Sequence, residues 1–392
     1  MHRDGLRLFG FSLALAGALA GLAPRAAAQE IWVPRRSKPM PATSIGAAAV
    51  PGSRDAPSGG IDAVTRLRID RALEYLYRGQ SPEGYWTDRV GRKVHDTYRG
   101  QVAPHVGVTA LAGMAFLSSG VLPEEGVREK YCAAVRKALE FVMDSCEPNG
   151  FITAYGSRMY SHAFATLFLA EAYGAGLYGD SRRLRSCLKR ATQLIVTAQN
   201  STGGWRYLPG AEDADMSVTV CQVFALRGAR NVGIDVPKAT IDAAVRYVKA
   251  SFVRETATRG AFQYQIDLTY PGGLSRCSFA LTAAGVATLC GAGDYSAPEV
   301  RLGLQYLWDA RPPAEIAPDR FDFYYAHYYA AQAAFQAGGE YWKEWYEATK
   351  RELLALQRPD GSWTDLVGSH YATAMAAIIL QLPNRYLPIM EN

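Results

Sequence analysis

The sequence has no stripe of basic residues interleaved with aromatics. Its net charge of +5 is spread along 392 residues, which excludes nucleic acid as a partner. Runs of β-branched residues bounded by turn signals are missing, so strand-built architectures are excluded too. Beyond the N-terminus, no apolar stretch is long and continuous enough to cross a bilayer. The 6 cysteines are not spaced as a disulfide framework. Cys132 and Cys146 stand at the two ends of one predicted helix, on the order of 20 Å apart at about 1.5 Å per residue, too far to bridge. Cys221, Cys277 and Cys290 fall inside apolar helical runs and read as buried thiols that pack as small hydrophobes. The even count still permits one bridge in an oxidising compartment. No cofactor is expected, and the sequence identifies no protein partner.

What is present describes an exported globular protein. With 49% hydrophobic and 20% charged residues, the chain can bury a large core. Arg3 and Arg7 precede an apolar run over 8–22, and Ala26-Ala27-Ala28 offers a small-residue cleavage site before Gln29. A run of roughly 15 residues is short for a spanning helix, so residues 1–28 read as a signal peptide. No Arg-Arg pair is present, which points to the general secretory route. The expected location is periplasmic or extracellular, with an uncleaved anchor as the alternative. Residues 29–60, rich in Pro, Ala, Ser and Gly without apolar periodicity, read as a disordered linker. The folded domain is expected over 61–392.

Two kinds of helix alternate through that domain. One kind is amphipathic: Ile69, Leu73, Leu76 and Tyr77 follow i, i+4, i+7, i+8, and Val135, Leu139, Val142 and Met143 repeat the spacing. The other kind is apolar all round, over 106–117, 163–172, 218–226, 279–290, 325–337 and 371–380. A helix with no polar face is buried on every side. The unit recurs about six times with a period of roughly 40 to 65 residues, and its turns carry Trp86, Phe151, Trp205, Phe262, Phe321 and Trp363. The predicted fold is all-α: a closed α/α toroid of about six hairpins, with an inner apolar ring and an outer amphipathic ring. Closure removes the need for capping repeats.

One pattern, Gln-x3-Gly-x-Trp, stands at residues 80–86, 199–205 and 357–363. Gln80, Gln199 and Gln357 are predicted at the ends of outer helices, where an amide can satisfy orphan backbone groups of a neighbouring helix terminus. The glycine supplies a positive φ. Trp86, Trp205 and Trp363 pack across the junction with their N–H groups bonded. These six residues therefore read as structural staples.

Three such copies on alternating helices resemble the prenyltransferase and squalene-cyclase repeat superfamily, of the exported single-toroid bacterial type. The resemblance covers roughly residues 62–385 and implies a central cavity lined by the N-terminal ends of the inner helices. The abundant tyrosines, 23 in all, suit such a lining. Residues at those helix starts are the candidates: His105, Tyr160, His162, Asp213, Asp215, Ser275, Cys277, Asp322, Tyr325, His327, His370 and Tyr371.

Asp213-Ala214-Asp215-Met216-Ser217 is similar to the Asp-x-Asp-Asp-Thr of class II terpene cyclases, with Met216 in place of the third acid and Ser217 in place of threonine. By that resemblance Asp215 is the general acid beside Asp213, and the substrate is an isoprenoid or related lipid. The bland reading of the same residues is that Asp213 or Asp215 caps the helix beginning near Ser217. The superfamily's zinc enzymes suggest Cys277 and His327 as metal ligands, but Ser275 stands where their aspartate would be and the histidine is displaced. His162, His327 and His370 each also read as ordinary structural histidines. A polysaccharide-processing toroid would need carboxylates facing across the cavity, for which Asp213, Asp215 and Asp322 are available. A non-catalytic binding or interaction toroid remains the reading from a different class.

Overall fold

The structure is a computed structural model that describes residues 39–43, 60–91, 99–120, 129–255, 257–266, 276–311 and 322–384. The segments read as a signal peptide and most of the linker lie outside the described residues, as does Phe321. Inside the linker stretch, residues 39–43 are held in place: Met40 packs against the core and the Ala42 carbonyl accepts from the Tyr341 amide at 3.2 Å.

Twelve α-helices are found among the described residues. The outer set is α1 (Ala63–Gly79), α3 (Glu129–Asp144), α5 (Ser181–Thr197), α7 (Lys238–Ala250), α9 (Pro298–Asp309) and α11 (Gly339–Leu356). The inner set is α2 (Val106–Leu117), α4 (Met159–Gly174), α6 (Met216–Asn231), α8 (Phe279–Gly291), α10 (Phe323–Ala337) and α12 (Ser369–Gln381). Each inner helix packs on the next, and α12 packs back on α2, so the ring closes. The outer helices lie against it, with α1 over α12 and α2, α5 over α4 and α6, and α7 over α6 and α8. The fold is thus an all-α α/α toroid. Among the described residues no helix is long and apolar enough to cross a membrane.

The three tryptophan turns repeat one set of bonds. Nε2 of Gln80 donates to the carbonyls of Gly84 and Ala134, that of Gln199 to Gly203 and Thr240, and that of Gln357 to Gly361 and Arg68. The second acceptor in each case lies within the next outer helix, and Gln357 reaches α1. Each carbonyl spends a second lone pair on the amide, so the acceptor is an interior helix carbonyl rather than an orphan one. The tryptophan Nε1–H groups donate back to Leu76, Ile195 and Leu353, and the tryptophan backbone amides donate to Thr109, Thr219 and Thr373 on the inner helices. Gly84, Gly203 and Gly361 have φ of +93°, +93° and +92°, and a Cβ would sit 2.3–2.6 Å from a carbonyl of the next outer helix. Only glycine fits there.

Two details depart from the sequence reading. A two-stranded antiparallel hairpin, β1 (Thr87–Val90) and β2 (Gln101–Pro104), follows the Trp86 turn with Asp88 opposite Ala103. Its four-residue strands are too short to carry a visible alternation. In the second repeat, Ile152 rather than Phe151 holds the tryptophan position. Gly150 has φ +93°, and the Ile152 amide donates to His162 Nδ1 at 3.0 Å.

The ring axis is filled. Tyr329 of α10 packs on Phe224 of α6 with centroids 5.2 Å apart, its hydroxyl 3.2 Å from Cys221 Sγ, and Tyr328 packs edge-on against Phe164 of α4. Neither α4 nor α6 is a ring neighbour of α10, so these aromatics bridge the centre. The expected deep apolar cavity is replaced there by packed rings, because bulky tyrosines sit where small residues would leave space.

Candidate functional site

What remains open is the mouth, the face on which the inner helices begin. Six helix N-termini converge there, each the positive end of a helix dipole, and those of α2, α6, α8 and α12 carry side-chain caps. The segment after Trp205 supplies the densest polar cluster. Asp215 is the N-cap of α6, fully buried, and its Oδ1 accepts from the Val218 amide at 2.9 Å and from Ser217 Oγ at 2.6 Å. Its Oδ2 accepts from Arg206 at 2.8 Å. Arg206 also reaches Asp213 Oδ2 at 3.1 Å and donates to the Tyr264 hydroxyl at 3.0 Å. The Tyr207 and Tyr264 hydroxyls lie 2.5 Å apart, and Tyr160 donates to Ser217 Oγ at 2.5 Å. Tyr325 of α10 closes the cluster by donating to the Ser217 carbonyl at 3.0 Å.

The electrostatics follow from burial. Loss of water raises the Asp215 carboxyl above its ordinary value, against the opposing pull of Ser217, Val218 and Arg206. Burial also raises the phenols of Tyr160, Tyr207 and Tyr264, and the charge of Asp215 adds to it, so they remain protonated donors. Every group around Asp215 donates: one N–H, one O–H and one guanidinium. That set suits an ionised carboxylate that caps a helix and holds an arginine. A carboxylic O–H would need to displace one of them.

Beside this cluster stands a second arginine. Arg276 lies two residues before Ser278, the N-cap of α8, with its guanidinium 4.4 Å from the Tyr264 ring centroid. Backbone bonds fix it: the Tyr264 amide donates to the Arg276 carbonyl, and the Met216 amide to the Tyr264 carbonyl, both at 2.8 Å. Among the described residues no carboxylate pairs with Arg276.

The other candidates are placed elsewhere. His162 lies between the rings. Its Nδ1 accepts from Ile152, its Nε2 bonds the Ala191 carbonyl at 3.2 Å, and burial lowers its pKa to about 4. It does in the second repeat what Thr109, Thr219 and Thr373 do in theirs. His327 is buried among Phe323, Phe279 and Trp345, facing α11 rather than the ring axis, and neither ring nitrogen has a partner among the described residues. Cys277 packs with Ala261, Tyr306 and Ala310 on the α9 side. No group of three or more His, Cys, Asp or Glu side chains that could hold a metal is found among the described residues, and Ser275 lies outside them. His105 caps α2 by accepting from the Val108 amide at 3.3 Å. His370 stacks on Tyr75 of α1. Tyr371 lies near Tyr325 at the mouth, and Asp322, partly exposed, makes no capping bond.

Several mouth residues escape a motif search: Asp88, Arg206, Tyr207, Tyr264, Arg276 and Asp365. A signal was present. Asp88, Tyr207, Tyr264 and Asp365 each stand two residues after the aromatic of a turn, Trp86, Trp205, Phe262 and Trp363. That register places a residue on the mouth once the staple is fixed. A surface recess of about 420 Å³ lies nearby, lined by Gln199, Asn200 and Glu212 among others, outside the phenol–arginine cluster.

Similar solved structures share the toroid. The type II terpene cyclase MstE from Scytonema (apo) matches with a TM-score of 0.52 at 14% identity, over 82% of this chain and 98% of that one. The GH76A α-1,6-mannanase from Salegentibacter sp. HEL1_6 matches with a TM-score of 0.54 at 9% identity, over 82% of this chain and 99% of that one. A protein from Actinoplanes matches with a TM-score of 0.50 at 14% identity, over 82% of this chain and 99% of that one. No protein-family profile and no curated protein matches the chain. At these identities the likeness is one of fold: the chain is an α/α toroid of the architecture shared by terpene cyclases and GH76 mannanases.

Proposed function

We propose that the protein is a ligand-binding toroid that takes an anionic amphiphile, an isoprenoid or related lipid, at the mouth of the inner ring. The observation that carries this reading is the arginine–phenol cluster. Arg276 is stacked on Tyr264 without a carboxylate partner among the described residues, at the convergence of helix N-termini that favour an anion. Tyr160, Tyr207 and Tyr325 supply the partly exposed aromatic surface for the apolar part. Asp215 serves as a clamp that orients Arg206 and Tyr160. The fold similarity to a terpene cyclase whose structure is known in complex with geranylgeranyl dihydroxybenzoate agrees with such a ligand.

The test is calorimetric titration with farnesyl diphosphate and with neutral farnesol. Wild type should bind the anion more tightly, and Arg276→Gln should weaken that binding by about tenfold, the worth of one charge-assisted contact, while leaving farnesol unchanged. Equal binding of both probes, or none of either, overturns the reading.

A second reading has its own observation. Asp322 and Asp365 both act on the Tyr371 phenol, so two carboxylates share one side of the mouth. Release of reducing ends from an α-1,6-mannan, lost in Asp365→Asn, would favour polysaccharide processing instead.

A further inference from the structure

The outer ring is fastened at corresponding points, and one fastener differs. In the three tryptophan repeats the turn glycine lies against a carbonyl of the next outer helix: Gly84 on Lys137, Gly203 on Ala243, Gly361 on Arg71. The glutamine four residues before the glycine bonds the residue three before that contact: Ala134, Thr240 and Arg68. In the second repeat Gly150 lies against the Arg190 carbonyl at the same 2.3 Å as Gly84 and Gly203. Four residues before Gly150 is Cys146, and three before Arg190 is Cys187. The two cysteines therefore occupy the two ends of the glutamine fastener. In the fourth repeat Gly260 lies against Leu302, and the residue three before it, Glu299, is bound by Arg254 at 2.8 Å. The three tryptophan junctions each have a bond at this place, and in the second repeat the same two positions hold a pair of thiols.

We propose that Cys146 and Cys187 form a disulfide that takes the place of the glutamine fastener between α3 and α5. The Cys187 thiol interacts directly with Cys146, and the Arg190 guanidinium lies 3.6 Å from Cys146 Sγ. Cys187 is buried and Cys146 is partly exposed, so Cys146 is the sulfur an oxidant can reach. The hydrogen bond from Cys187, with Arg190 behind it, pulls the Cys146 thiol down to about 7, while the same contact and burial push Cys187 up. Cys146 is thus the attacking thiolate. With a small disulfide such as oxidised glutathione, Cys146 S⁻ attacks one sulfur, forms a mixed disulfide and releases one glutathione thiolate. Cys187 then loses its proton, attacks Cys146 Sγ and releases the second. Two protein thiols are oxidised and one glutathione disulfide is reduced to two thiols. The remaining cysteines, Cys132, Cys221, Cys277 and Cys290, keep no such partner register and stay reduced. Export, as the leader predicts, would put the pair in an oxidising compartment.

The experiment is to equilibrate the full-length protein with oxidised glutathione, block free thiols under non-reducing conditions, and map peptides by mass spectrometry. The expected product is one cross-linked peptide pair, Cys146 with Cys187, and the other four cysteines alkylated. Reduction with dithiothreitol should lower the melting temperature by ~5 °C, since the bridge closes a loop of roughly 40 residues. Cys146→Gln, which restores the glutamine fastener, should melt above the reduced wild type and be indifferent to dithiothreitol. Cys187→Ala should carry a persistent glutathione adduct on Cys146. A lasting adduct on Cys146 in the wild type, a cross-link to another cysteine, thiols that stay free, or a melting temperature unmoved by reduction would each overturn the proposal.

Discussion

Two aspartates at the mouth each cap an inner helix and are held by different basic partners. Asp215 caps α6 from its own chain segment and is bound by Arg206. Asp88 arrives from strand β1 and caps α12 from outside: its Oδ2 accepts from the Tyr371 amide at 2.8 Å, and Oδ1 lies 3.6 Å from His370 Nδ1. The place is kept for it by Gly368, where a Cβ would fall 1.8 Å from Asp88 Oδ1. Both carboxylates satisfy the orphan N–H groups of an inner helix. The arginine partner is permanently charged, whereas the histidine partner titrates. The pair at α6 therefore keeps its cation over the pH range in which the pair at α12 gains or loses one.

The sharpest way to break the comparison is Asp215→Ala. It removes the cap and leaves the partly buried Arg206 with only the exposed Asp213 and the Tyr264 hydroxyl as partners. Breaking a buried pair from one side should cost about 3–5 kcal/mol in urea unfolding, with Asp215→Asn intermediate because its amide oxygen can still cap. A loss under 1 kcal/mol for the alanine variant would mean that the clamp is idle.

Next in size is the acid limb. His162 is fully buried and neutral with a pKa of about 4, against 6.5 in the unfolded chain. The unfolded state binds the proton first, so stability falls as pH drops from 6.5 towards 4, by on the order of 3 kcal/mol from this group. His162→Thr should flatten that limb even if it lowers stability at pH 7, and an unchanged slope would contradict the assignment.

The smallest effect separates the two aspartates directly. Burial works against the charged His370 imidazole, but Asp88 and the Thr87 carbonyl outweigh it and raise its pKa above 6.5. Its stabilisation is full below the unfolded value and is lost as pH rises through the folded one. His370→Phe, which keeps a ring against Tyr75, should abolish the loss of stability that the wild type shows between about pH 5.5 and 8.5. The Asp215–Arg206 pair should be constant over that window.

The helical repeat was legible because burial on all sides imposes a composition. A helix such as Val106–Leu117 can carry no polar face, and Glu129–Asp144 must carry one. The staples were legible because a glycine at φ near +93° and a buried tryptophan tolerate few substitutes. Where chemistry substitutes, the sequence went quiet. His162 does the work of a threonine, Cys146 stands at a glutamine position, and Ile152 holds a tryptophan place, so the second repeat hid its register.

Local spacing alone determined the alternation of helices, their buried faces and the three tryptophan turns, because each depends on residues a few positions apart. Only the tertiary structure decided that the axis is filled, that Asp215 clamps Arg206 rather than standing free, and that Asp88 caps a helix 283 residues away along the chain. Those outcomes depend on which side chains meet when the ring closes. Closure brings α12 against α2 and sets Tyr325, Tyr328 and Tyr329 across from α4 and α6.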